Sequence, residues 1–426
     1  MPEIALEQAW SGWNEARQAW QTWFLQQALP LWREHGVDRQ RGGFHEKLDA
    51  KGLPIDEPRR TRVVARQLYV FATAPKLGDD HDAAPLLEHG LSFLRQHLLA
   101  ESGTFHAAWS LNDHRPNPHF DLYEQAFGLF ALGAVYQLDR ARHPELPALA
   151  LGVLGQLQAG WGHPTIGFQE SQPPTAPLRS NPHMHLLEAA LCWQRATDGQ
   201  DATWNALVHQ LVSLCLTHLV QPASGLVTEL FDLAWRPLPG PDGSLAEPGH
   251  QFEWGWLLLS WARQEPGHPL AAQARQAAIR MIGLGEAHGV DASRGVAINA
   301  IDTSGQTRDA NAKLWPQTER IKAWVAMAQA AWQGASPVAS SAADQARALQ
   351  QATAAIHGLM RYLRHPVAGA WHESLGADGH WQVQDTRASS LYHIVCALEV
   401  ACGLQAPNTS ASLSSGASAS LGASKG

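Results

Sequence analysis

The sequence predicts an all-α fold, an (α/α)6 barrel with short β-hairpins gathered at one mouth. Three observations carry that expectation. Long segments place apolar residues three and four apart, a glycine-led apolar–polar alternation recurs six times, and each interval between recurrences has room for two helices.

In chain order, helices are expected from Ala5 to Trp32, Arg62 to Ala72, Ala83 to His97, Phe120 to Tyr136, His183 to Gln194, Trp204 to Val220, Phe252 to Trp261, Leu270 to Gly285, Leu314 to Trp332 and Ser389 to Gly403. Between them, Gly43-Phe44-His45-Glu46, Gly103-Thr104-Phe105-His106, Gly167-Phe168-Gln169-Glu170, Gly225-Leu226-Val227-Thr228-Glu229, Gly295-Val296-Ala297-Ile298-Asn299 and Gly369-Ala370-Trp371-His372-Glu373 each read as a short strand after a glycine turn. Six units of two helices make about twelve helices. Closed into a ring, they form six inner and six outer helices. An open solenoid of helix pairs would show the same period. Residues 1–404 are expected to form this single domain. From 405 to 426 a Ser/Ala/Gly-rich tail lacks apolar periodicity and is expected to be disordered.

Composition narrows the function. A chain of 426 residues, 45% apolar, can bury a large core. Its formal charge of −8, with both signs interspersed, offers no basic stripe for a nucleic-acid backbone. Four cysteines without a CxxC pair fit a reducing compartment. Glu3, Glu7 and Glu15 interrupt the N-terminus, unlike a signal peptide, and no apolar run approaches the roughly 20 residues a membrane span needs. The expectation is a cytoplasmic protein with no membrane partner. The 18 tryptophans mildly favour a carbohydrate site, although core packing accounts for most of them.

Ionisable side chains inside apolar helical stretches mark the chemistry, because burying them unpaired costs several kcal/mol. In Asn181-Pro182-His183-Met184-His185-Leu186-Leu187-Glu188, Asn181, His185 and Glu188 share one helical face. In Glu247-Pro248-Gly249-His250-Gln251-Phe252-Glu253-Trp254, His250 and Glu253 do the same. Ser389-Ser390-Leu391-Tyr392-His393 opens the last helix. A single such histidine reads as a core or capping residue; three at helix starts after loops read as a site. Glu188 and Glu253 read as partners that orient the histidines or bind hydroxyls, against ordinary helix salt bridging. Arg66 interrupts an apolar helix, either as a hydroxyl-binding cation or as a snorkelling surface residue. Arg59, Arg60 and Arg62 read as a solvated face or as a grip for a phosphate or other anionic group. His183 and His185 diverge on a helix and no HExxH pattern is present, so neither a metal nor a cofactor is expected.

The segments Gly42-Gly43-Phe44, Ala65-Arg66-Gln67, Asp121-Leu122-Tyr123-Glu124-Gln125-Ala126-Phe127, Asn181-Pro182-His183-Met184-His185, Glu247 to Trp254, Trp315-Pro316-Gln317-Thr318-Glu319 and Leu391-Tyr392-His393 resemble, in order, the N-acylglucosamine 2-epimerase family. The likeness runs from about Gly42 to Leu404. It implies the (α/α)6 fold and a catalytic pair, His250 and His393. It also implies that Arg66, Asn181, His185 and Glu253 hold the sugar, and that Trp315 and Glu319 line the same pocket. Tyr123 and Glu188 are counted with the sugar-binding side chains. The family's acyl-sugar epimerases carry a tryptophan four residues before the arginine matching Arg66. Here that position is Arg62, which speaks against an N-acetylated substrate, and the proline-containing forms of the motifs resemble the mannose isomerase branch.

The expected activity is therefore aldose–ketose isomerisation of D-mannose and D-fructose through a cis-enediol, with His393 as the carbon 2 base and His250 as the ring-opening acid. The enzyme is expected as a monomer or homodimer. The rivals are a glucose/mannose 2-epimerase, an isomerase of a phosphorylated or sulfonated hexose, and an (α/α)6 glycoside hydrolase using Glu253 and Glu319 as its two carboxylates.

Overall fold

A computed structural model describes residues 2–332 and 341–405; the tail expected to be disordered lies outside the described residues, apart from position 405. Thirteen α-helical segments occur among them: α1 (Pro2–Trp23), α2 (Leu29–His35), α3 (Thr61–Thr73), α4 (Ala84–Phe93), α5 (Leu122–Leu138), α6 (Leu146–Trp161), α7 (Ser180–Ala196), α8 (Ala202–Leu214), α9 (Pro248–Gln264), α10 (Ala271–Gly289), α11 (Trp315–Trp332), α12 (Ala342–Tyr362) and α13 (Ala388–Cys402). A π turn, Phe24–Ala28, joins α1 to α2 into one long element, which makes twelve in all.

Helices α3, α5, α7, α9, α11 and α13 pack in succession, and α13 returns to pack on α3. That contact closes the ring and removes the open solenoid. The remaining helices form the outer layer, each packed on an inner helix. Inner helices are buried nearly all round, as α3 shows from Val63 to Thr73, whereas α4 and α8 bury one stripe. Trp13, Trp20, Trp32, Trp193, Trp204, Trp254, Trp261 and Trp371 are fully buried between the layers, so these tryptophans serve the core.

Two helices absent from the sequence expectation are α6 and α12. Helix α6, LPALALGVLGQLQAGW, has leucines spread around it and three glycines, and so no single apolar face. Helix α12 does carry a buried stripe, Leu349, Ile356, Leu359 and Tyr362 with alanines between them, which the sequence reading passed over.

All six leading glycines, Gly43, Gly103, Gly167, Gly225, Gly295 and Gly369, have positive φ, a backbone shape that side chains with a Cβ disfavour. At Gly369 a Cβ would also meet the Gln27 carbonyl oxygen at 2.3 Å. Most of the expected strands shrink to single bridges, such as Leu99 with Phe105 and Val220 with Val227. The longer pairings instead link neighbouring units: Arg59–Arg60 with Ala108–Ser110, Leu178–Arg179 with Leu230–Phe231, Leu245–Ala246 with Ala300–Asp302, Ala312–Lys313 with Ser374–Leu375, and Lys47–Leu48 with Thr386–Arg387. The last of these joins the first unit to the sixth.

Two repeated devices tie this belt to the inner helices. A side chain just after each hairpin turn accepts from a backbone N–H leading into an inner helix: Glu46 from Arg60, Glu170 from Arg179, Glu229 from Glu247, Asn299 from Lys313 and Glu373 from Arg387, at 2.5–3.1 Å. Buried glutamines on the helices clasp the hairpin backbone through both amide atoms. Gln125 does so at Phe105, Gln251 at Val227 and Gln317 at Ala297. A buried hydrogen bond of this kind contributes about 1 kcal/mol, and leaving either group unpaired costs more. The inner-helix N-termini are thereby fixed in one ring at the mouth.

Candidate active site

Inside that ring lies a cavity of about 510 Å³, bordered by Arg66, Tyr123, Asn181, His185, His250, Glu253, Trp315 and His393 among others. Eight of the ten side chains singled out in the sequence therefore meet on one wall. Each lies in the first two turns of an inner helix, so residues more than 300 positions apart converge.

Trp315 organises the centre. Its ring centroid is 5.0 Å from that of His250 and 5.9 Å from that of His393, so both imidazoles pack against one indole. Among the described residues it is the one tryptophan on the cavity wall.

Each imidazole makes its one hydrogen bond to a carboxylate behind it. His250 Nδ1 is 2.9 Å from Glu229 Oε2, with Glu247 Oε2 at 4.0 Å. Burial opposes a charge on His250, but Glu229 and Glu247 outweigh it and push its pKa up to about 10. His393 Nδ1 is 3.0 Å from Glu319 Oε1. Here burial, joined by the cations Arg66 and Lys322, holds the pKa well below the ordinary imidazole value. Around pH 7 one ring is a proton donor and the other a proton acceptor, over the same cavity.

Arg66 is anchored rather than snorkelling. Its guanidinium stands 4.1 Å from the Phe127 ring centre and 5.1 Å from that of Tyr392, and Nη2 donates to the Tyr123 hydroxyl at 2.7 Å. His185 is packed on Tyr123 and Phe127 and bonded to Glu188 at 3.1 Å; burial lowers its pKa to about 4, so it is neutral. Arg66 Nε, Asn181 Oδ1 and both Glu253 oxygens are buried without a hydrogen-bond partner among the described residues. Burial and repulsion from Glu319 push the Glu253 carboxyl well above its usual range. Arg66, Asn181 and Glu253 all border the cavity, so its wall carries polar side chains with unused bonding capacity, and hydroxyls satisfy donors and acceptors alike.

Three sequence expectations are corrected. Glu319 is fully buried behind His393, where it also meets Lys322 Nζ at 2.6 Å; it does not line the cavity. Glu253 and Glu319 therefore do not flank a common bond, and the hydrolase reading loses the pair it rested on. Glu188 also lies beneath the wall, accepting from the Tyr392 hydroxyl at 2.5 Å, and borders a separate cavity further down the barrel. It supports His185 rather than touching a sugar. Arg59, Arg60 and Arg62 are each engaged by a carboxylate, Asp38, Glu46 and Glu124 respectively, and are not free to grip an anion. Outside the site, His183 is a structural pin that accepts from the Phe168 N–H and lies beside the Arg179 carbonyl.

Sequence reasoning missed Glu229, Glu247, Glu373, Lys313, Lys322 and Arg387. The first and third sat in hairpins read as strands. Ser390 donates to Glu373 on the cavity wall at 2.8 Å, and Lys313 and Arg387 stand on that wall without an ion pair among the described residues. Donor atoms of His185, Glu188 and Glu253 lie within 4.8 Å of one another, a spacing a metal could span, but Lys322 Nζ is 3.8 Å from Glu253 Oε1. That fixed ammonium opposes a cation there.

An acid and a base set against one indole, in a helical barrel whose mouth is lined with hydroxyl-binding groups, define a sugar isomerase or epimerase. A family model described as N-acylglucosamine 2-epimerase (GlcNAc 2-epimerase) matches residues 42–397, and the chain belongs to that family. A mannose-6-phosphate isomerase of Rhizobium meliloti (strain 1021) is 37% identical over 88% of this chain and 94% of its own. A cellobiose 2-epimerase of Bacteroides fragilis is 22% identical over 84% of this chain and 91% of its own. Among solved structures, a D-mannose isomerase aligns with TM-score 0.75 at 18% identity, covering 88% of this chain and 95% of that one, which shows the shared fold.

Proposed function

We propose that the protein interconverts D-mannose and D-fructose, with His250 and His393 in distinct roles. The opposite protonation of two imidazoles facing one cavity supports this above all else. His250, charged at neutral pH, donates to the ring oxygen and opens the sugar. His393, neutral and with Nε2 making no hydrogen bond among the described residues, takes the proton from carbon 2. The enediol's developing negative charge falls near the Arg66 guanidinium and the His250 imidazolium. Return of the proton to carbon 1 gives the ketose. Asn181, His185, Glu253 and Tyr123 hold hydroxyls, and Trp315 offers its face to the sugar's C–H surface. The reaction as written uses no metal. The enzyme works in the cytoplasm as a monomer or homodimer.

Incubating D-mannose with the enzyme and following products by nuclear magnetic resonance tests this reading. Fructose is expected; glucose without fructose would replace isomerisation by 2-epimerisation. A phosphorylated hexose is a second reading, favoured by the name of the Rhizobium relative and by the unpaired Lys313 and Arg387 on the wall. Turnover of mannose 6-phosphate with none of mannose would establish it.

A further inference from the structure

One buried charge has no part in the chemistry above. Lys322, on α11, is completely buried and lies one helical turn beyond Glu319. Its Nζ contacts Glu319 Oε2 at 2.6 Å and sits 3.8 Å from Glu253, 3.7 Å from the Cys396 sulfur and 3.9 Å from the centre of the Trp256 ring. An ammonium in so enclosed a place is costly unless it is matched by negative charge. The matching group, Glu319, uses its other oxygen on His393 Nδ1. The three side chains form one chain of contacts: ammonium, carboxylate, imidazole.

We propose that Lys322 is a positioning residue for His393, holding Glu319 as a carboxylate so that the imidazole keeps its proton on Nδ1 and presents a bare Nε2 to the sugar. The inference rests on His393 being the carbon 2 base. Burial raises the Glu319 carboxyl, and the charge and hydrogen bond of Lys322 restrain that rise. A protonated Glu319 would donate to Nδ1 and force the ring's proton onto Nε2, where it blocks the reaction. Besides Glu319, the groups facing His393 are Lys322 from α11, Arg66 from α3, and His185 and Glu188 from α7. Of these, Arg66 and Lys322 are the cations that keep the ring from taking up a second proton at rest. His393 borders the cavity and Lys322 does not, so the ammonium acts on the ring without occupying the space a substrate would fill.

The test is Lys322→Met in the full chain, with the double variant Glu319→Gln/Lys322→Met beside it. Lys322→Met is expected to lower kcat roughly tenfold or more, as loss of a supporting partner does, while KM changes little. The acid limb of its kcat/KM profile moves to higher pH, because removing a cation makes His393 easier to protonate. The double variant, which removes the pair as a unit, is expected to recover part of that loss. A folded Lys322→Met enzyme with the parent's kcat and pH profile overturns the proposal, as does a double variant no better than the single one. Should Lys322→Met fail to fold, imidazole nitrogen resonances of the parent decide. An Nδ1-protonated His393 that does not titrate between about pH 5.5 and 8 supports the proposal, and titration in that window overturns it. Carbon 2 exchange that survives His393→Asn would instead strike the choice of base, whatever Lys322 does.

Discussion

His250 and His393 occupy two regions of one wall that differ in the charges set around them. Both are buried, both pack on Trp315, and both bond through Nδ1 to a glutamate. Behind His250 the glutamate is Glu229, reinforced by Glu247, and the site carries an excess of negative charge. Behind His393 the glutamate is Glu319, and Lys322 neutralises it. The same His–Glu pair gives an acid in one place and a base in the other because the surrounding charges differ: Glu247 adds negative charge beside His250, whereas Arg66 and Lys322 set cations beside His393. The two rings also sit at different steps of their helices: His250 is three residues past Glu247 and pairs with a hairpin glutamate, whereas His393 is six past Arg387 and pairs with a glutamate of α11.

Removing the carboxylate that makes His250 an acid breaks the comparison most severely. Glu229→Gln lowers the His250 pKa, so the basic limb of the rate profile moves down from about pH 10 as the acid form is lost earlier. At pH 8 the rate should fall by about 10- to 100-fold, and an unmoved basic limb would show that Glu229 does not set the acid. Glu253→Gln sharpens the comparison from the other side. Burial and the neighbouring Glu319 push its carboxyl well above the usual range, which favours the neutral form, so the amide is expected to keep kcat within about threefold of the parent at pH 7. A loss on the order of 10² or more would mean that Glu253 works as a carboxylate, a second base beside His393.

Much of this arrangement was legible in the sequence, for physical reasons. The six glycines stood out because a left-handed turn admits little else, and that requirement recurs at every unit. His250 and His393 stood out because a titratable ring in an apolar helix must be matched by something. Helix α6 was not legible, since leucines on every side give no clear apolar face, whereas α12 has a stripe of Leu349, Ile356, Leu359 and Tyr362 that was passed over. Glu229 and Glu373 read as strand residues because their role depends on which inner helix the hairpin meets. Lys322 looked like any helical lysine, and nothing local reveals that three carboxyls surround it. Arg59, Arg60 and Arg62 misled as a basic run, because their partners Asp38, Glu46 and Glu124 arrive from elsewhere in the chain.

The division of labour between the two rings is tested most directly by running the reaction in deuterium oxide with the parent, His393→Asn and His250→Asn, each shown to be folded. The parent should place deuterium at carbon 2 of recovered mannose and at carbon 1 of fructose. His393→Asn should place none at either carbon, and His250→Asn should still exchange, slowed to the rate at which the sugar ring opens unaided. Carbon 2 exchange retained by folded His393→Asn and lost in His250→Asn would reverse the two roles and contradict the account.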